Sequence, residues 1–244
     1  SATATHTFRI IPKDLGDGFK WNANGAQVSA DGLTFTFSYN GGALAPIPTA
    51  TTAGISFIYD CLKVDASGAE TSIALENIRD AGSYKMTVKC NSGNYEVPDS
   101  TKTVTIIITP CETEVIWNTG KLTFNGSNQL PAAYYLDANG TKVSLTDSIT
   151  VTDGDGNPVT EYKNAGVYKA SAKLTAGGNY VLKAETADYI FEIAKKELPV
   201  TWKWDGFTDK AVTYDGGKHA PIGVPTFSGA SGVPDIQPYF VITD

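Results

Sequence analysis

Asn164-Ala165-Gly166-Val167-Tyr168-Lys169-Ala170-Ser171-Ala172-Lys173-Leu174 is the stretch whose reading decides the fold class. Beyond Gly166 the chain alternates. Val167, Lys169, Ser171 and Lys173 fall on one side, and Tyr168, Ala170, Ala172 and Leu174 on the other. A period of two predicts a strand with one wet and one buried face. Similar short runs lie nearby at 115–118, 130–136, 149–152 and 189–193. Asn-Gly, Asp-Gly and Gly-Gly pairs between them supply the positive φ that tight hairpin turns demand. No window of helical length keeps a 3.6 spacing without a Gly, a Pro or a turn pair breaking it.

Working outward, the opening of this stretch recurs. Ala81-Gly82-Ser83-Tyr84 matches Ala165-Gly166-Val167-Tyr168, and Asn94-Tyr95 matches Asn179-Tyr180. Ile106-Ile107-Ile108 stands opposite Phe191-Glu192-Ile193, and Trp117 opposite Trp202. All hold an offset of 84 or 85 residues. A further marker, an aromatic, a turn and a later proline, occurs three times: Tyr39-Asn40-Gly41-Gly42 with Pro46, Phe124-Asn125-Gly126-Ser127 with Pro131, and Tyr214-Asp215-Gly216-Gly217 with Pro221. Independent markers on one offset predict a repeat of 85 to 90 residues. Short strands with frequent turns in such a unit predict an all-β fold of tandem immunoglobulin-like sandwiches.

These markers place repeat one at 1–108, repeat two at 109–194 and the first half of a third repeat at 195–244. Phe8-Arg9-Ile10, then Lys13 and Leu15, match Phe191-Glu192-Ile193, then Lys196 and Leu198, so 1–11 reads as the last strand of a preceding unit. The two ends are then expected to satisfy one another between chains by strand addition.

The Tyr-(Asp/Asn)-Gly turn with its later proline, the Asn-x-Gly-x-Tyr element at 164–168, the Asn-Tyr pair and the closing Phe-x-Ile resemble the MBG/YDG-type repeats of bacterial surface proteins. Repeat one departs slightly, with Arg79-Asp80 ahead of Ala81-Gly82. The resemblance implies Ig-like modules strung together in an adhesin or large secreted protein. The expected role is a non-catalytic stalk or interaction module, extracellular or on the bacterial surface. The alternatives are a carbohydrate- or mucin-binding module and an accessory domain of a glycan-degrading enzyme. Expected partners are the neighbouring repeats and a host or matrix glycan or protein.

Composition narrows the classes. Hydrophobic residues are 41% of the chain, enough to build cores. The formal charge of −7 and the lack of basic clusters argue against nucleic acid and anionic lipid as partners. No apolar stretch has the length to cross a bilayer. The chain carries no nucleophile elbow, phosphate loop or His-Glu-x-x-His. His6 and His219 read as solvated loop residues, and no enzyme, cofactor or metal is expected. Asp153-Gly154-Asp155-Gly156-Asn157 opens like a calcium loop, yet position 164 is Asn where a bidentate Glu would close it, so a hairpin turn is the preferred reading.

Two residue groups remain as candidates. Trp117 and Trp202 share one repeat position, filled by Phe19 in repeat one, and read as buried core. Trp21 and Trp204 sit two residues further on the same strand face, where repeat two has Thr119. Those two are the candidate ligand-facing aromatics, with packing between units as the competing reading. Cys61 and Cys90 both end period-two apolar runs and point to a core, either as a disulfide across it or as two buried thiols. Repeat two has Thr146 and Leu174 at the matching places.

Overall fold

The structure, a computed structural model, describes residues 6–197 and 216–217, together with the backbone of 200–205 and 222–227. The described elements are almost all β-strands, and the one α-helix among them, Ala184–Ala187, is a single turn. Contacts divide the chain into two compact units. The larger holds most of residues 6–191, and the smaller holds 121–129, 163–166 and the described residues from 192 onward.

In the larger unit the first segment, residues 13–109, is organised by a six-stranded sheet. Its order is Gln27–Val28, Thr34–Ser38, Thr103–Thr109, Gly82–Cys90, Phe57–Val64 and Glu70–Ile73. Alternation puts Tyr84, Met86 and Val88 on the inner face of one central strand and Val104, Ile106 and Ile108 on that of its neighbour, each at most 1% exposed. Burying one such aliphatic side chain contributes about 1.5–3 kcal/mol. Across the core lie Phe19–Asn22 and Ile47–Ala50, paired antiparallel, with Phe19 against Phe57 at a ring separation of 5.6 Å. Tyr84 closes the corner at the start of its strand. Its hydroxyl donates to the Asp80 carbonyl at 2.7 Å, and burial raises its pKa.

The second segment, residues 111–194, repeats many of these bonds. Lys13 N donates to Asn94 O and Cys111 N to Asn179 O; Trp21 Nε1 donates to Thr101 O and Trp117 Nε1 to Thr186 O. In each pair the second acceptor lies 85 residues after the first. Ile149–Asp153 pairs antiparallel with Gly166–Ala172, where Tyr168, Ala170 and Ala172 are buried and Val167 and Lys169 are exposed, as the alternation predicts. A second core gathers Val115, Ala133, Tyr135, Leu145 and Ala172.

In the smaller unit Leu122–Thr123 runs parallel to the end of Asp188–Ala194, and Phe124 N donates to Ala194 O at 2.9 Å. The matching bond in the first segment is Tyr39 N to Thr109 O, also 2.9 Å. The backbones of Val200–Asp205 and Ile222–Phe227 pair antiparallel.

Two expectations are corrected. Trp117, expected to be buried, is half-buried, because its strand is only Ile116–Trp117 and the indole lies along the rim of the second core. Phe19 is not its counterpart. Trp117 pairs with Ala133, two residues past Pro131, whereas Trp21 pairs with Pro48, two residues past Pro46. A 3-10 turn at Gly16–Gly18, entered through a bond from Gly16 N to Asp14 Oδ1, adds two residues ahead of the strand. A shift of two keeps every side chain on its face, so the pattern alone could not detect it. The expected pairing of the chain ends rests on residues outside those described.

Candidate functional site

Trp21 packs against the first core. Its indole N–H donates to Thr101 O at 2.8 Å, and its ring meets Phe19 edge-on at 5.5 Å and Phe35 at 6.2 Å. The residue is half-buried against the first core. The engaged N–H and the two ring contacts favour packing over a ligand-facing role for Trp21, and the packing is within the first core rather than between units. Trp204 pairs with Gly223, two residues past Pro221, which is the register of Trp21 and Trp117. Its side chain lies outside the described residues.

Cys61 and Cys90 do lean toward the core, but on neighbouring strands of one sheet. Cys61 pairs with Met86 and Cys90 with Phe57, four residues further along. Four residues of strand separate the Cα atoms by about 13 Å, well beyond the roughly 7 Å a disulfide allows. The bridge across the core is therefore corrected to two free thiols. Register also replaces Thr146 as the counterpart of Cys61, because Val151 pairs with Ala170 as Cys61 pairs with Met86. Burial raises the thiol pKa of both Cys61 and Cys90, which lowers their reactivity. Maleimide labelling of the native protein is expected to modify half-buried Cys90 and Cys111 first and to reach Cys61, 3% exposed, only on unfolding. Equal labelling rates would show that this core opens readily.

The Asp153 loop is a hairpin turn. Asp153 Oδ1 accepts from Asp155 N at 3.0 Å and Asn157 N at 2.9 Å, and Gly156 takes a φ of +87°. Asp65 and Asp137 make the same bonds around Gly68 and Gly140. Hydrogen bonds to its carboxylate, chiefly from Asn157, hold the Asp153 pKa below the usual range. A depressed pKa means the turn's contribution is present above the unfolded value and fades as pH falls through the folded one. Asp153→Ala is thus expected to lower the melting temperature at pH 7 by the same amount with or without calcium. A calcium-dependent rise lost in the variant would contradict the turn assignment. Among the described residues no three His, Cys, Asp or Glu side chains converge.

A recess of about 480 Å³ is lined by Asn24, Gln27, Thr36, Ser38 and Asn40. The one aromatic residue in its wall, Phe37, is 4% exposed, so the recess offers no stacking platform for a sugar.

A set of specific side-chain contacts lies where the first and second segments meet inside the larger unit. Asn179 Oδ1 accepts from Ala81 N at 2.7 Å, while its Nδ2 donates to Asp80 Oδ1 at 2.9 Å. Tyr180 meets Tyr39 edge-on at 5.3 Å and Tyr135 at 5.1 Å, and its hydroxyl accepts from Ala138 N at 2.7 Å. Burial raises the Tyr180 pKa. Gly41, at φ +84°, lies so close that an added Cβ would stand 3.4 Å from Ala138 Cβ. The residues that meet here are those whose recurrence marks the sequence: the Tyr39-Asn40-Gly41 turn, the approach to Gly82-x-Tyr84, and Asn179-Tyr180. Sequence reading found them as markers and missed that they touch, because no periodicity links residues 98 or 99 apart.

No protein-family model matches this chain, and no match to it was found among curated proteins.

Proposed function

We propose that this chain is a non-catalytic structural region of a secreted bacterial surface protein, a tandem array of Ig-like repeats serving as a stiff stalk or interaction module. The observation that carries this reading is the junction at Asn179 and Tyr180. A spacer must hold successive units in fixed relation, and one tyrosine pair, Tyr39 with Tyr180, together with the two side-chain hydrogen bonds of Asn179, links the first segment to the second inside the larger unit. The linker is short: Thr109 ends one strand and Cys111 begins the next. Tyr84, whose hydroxyl bonds back to Asp80 O just before its strand, has the geometry of the tyrosine corner of immunoglobulin-like sandwiches. Matching bonds whose acceptors lie 85 residues apart support a repeat of about that length.

For a glycan- or mucin-binding role, Trp21 is engaged in packing and the side chain of Trp204 lies outside the described residues. The spacer reading is tested by ¹⁵N relaxation of residues 13–194. Both segments are expected to tumble with one correlation time, and Asn179→Ala with Tyr180→Ala is expected to give each its own. Independent tumbling in the unaltered protein would refute the stiff-stalk role.

A further inference from the structure

We infer that the end of repeat one carrying Asn94 and Tyr95 is a docking face for another repeat of this same class, received through that repeat's Tyr-Asn-Gly turn and the Asp-Ala pair before its Gly-x-Tyr corner. The inference rests on the repeat reading proposed above and extends it to a surface that reading leaves unassigned.

Three observations converge. The incoming strand is presented identically at both places. Lys13 N donates to Asn94 O at 2.8 Å with Lys13 opposite Tyr95, and Cys111 N donates to Asn179 O at 2.9 Å with Cys111 opposite Tyr180, both in parallel pairing. Second, Ile106 and Ile108 stand five and three residues before Cys111, where they are 0% and 1% exposed in the last strand of repeat one. Phe8 and Ile10 stand at the same spacing before Lys13 and are each 83% exposed. With Ile11 at 68% exposure beside them, they form an apolar stretch left in water next to this face. Third, Asn94 is exposed and Tyr95 half-buried, whereas Asn179 and Tyr180 are both half-buried beneath Asp80, Ala81 and Tyr39. The occupant is therefore a repeat bearing the Tyr39-type turn and the Asp80-Ala81 pair. One contact will be missing, because Ala50 stands where repeat two has Tyr135, by the register of Pro48 and Ala133.

The test is a lengthened chain in which residues 1–108 are joined to residues 11–244. Ile108 then takes the place of Ile10, and a complete repeat one precedes the docking face at the native spacing. Hydrogen exchange of the Ala81 amide in the added copy reads the new junction. This amide is expected to exchange about tenfold more slowly than in the same chain carrying Asn94→Ala and Tyr95→Ala in the copy next to repeat two, the effect of roughly one hydrogen bond. In the 244-residue protein the same two substitutions are expected to leave exchange at Ala81 unchanged. Equal exchange in the two lengthened chains would overturn the inference. The original junction is an internal control: if Ala81 beneath Asn179 is also unprotected, the stalk reading fails, whereas protection there alone refutes only this docking face.

Discussion

Trp21→Ala is expected to destabilise the protein by about 3–5 kcal/mol, the range for removing a large aromatic from a packed site. The indole touches Phe19 and Phe35, the latter 1% exposed, so its loss uncovers part of the first core. It also leaves Thr101 O without its donor. Trp21→Phe separates the two effects. An aromatic ring stays but the donor and part of the indole's packing go, so the expected cost lies between about 1 kcal/mol for the hydrogen bond and the full Trp21→Ala loss. Urea unfolding followed by tyrosine fluorescence or circular dichroism reads both. A Trp21→Ala protein of unaltered midpoint that had lost glycan binding would restore the ligand-facing reading.

Tyr180→Ala is the second large effect, expected at about 2–4 kcal/mol. Two aromatic pairs contribute about 0.5–1.5 kcal/mol each beyond the area they bury. Ala138 N then loses its acceptor and must find water. Tyr180→Phe keeps both ring contacts and is expected to cost about 1 kcal/mol. The distinguishing sign of a junction residue is cooperativity. With Tyr180 the two segments should melt in one transition, and without it they should melt in two. A single unshifted transition in Tyr180→Ala would mean that the Tyr39–Tyr180 contact carries no energy between the segments.

What the sequence made legible follows from which physical signals are local. The strand at 166–172 was readable because burial alternates with the pleat, and the Asp-x-x-Gly turns because positive φ at Gly68, Gly140 and Gly156 leaves a residue signature. Short pairings such as Cys111–Thr113 with Tyr180–Leu182 were not, since two or three residues carry no period. The register of Trp21 was hidden because the Gly16–Gly18 turn shifts the strand by an even number of residues. Cys61 and Cys90 were read correctly as core-facing, yet period alone does not say whether two core-facing strands are neighbours or opposites. The junction was visible only as recurrence. Tyr39, Ala81 and Asn179 recur as markers, and they meet across the segments, which no local pattern encodes.

The most direct test of the claim that these marker residues join the segments is a double-mutant cycle on Tyr39 and Tyr180. Stabilities of the unaltered protein, Tyr39→Ala, Tyr180→Ala and the double variant would be measured by urea unfolding. The edge-on contact at 5.3 Å predicts a coupling energy of about 0.5–1.5 kcal/mol, the double variant losing less than the two single losses combined. Strict additivity would contradict it.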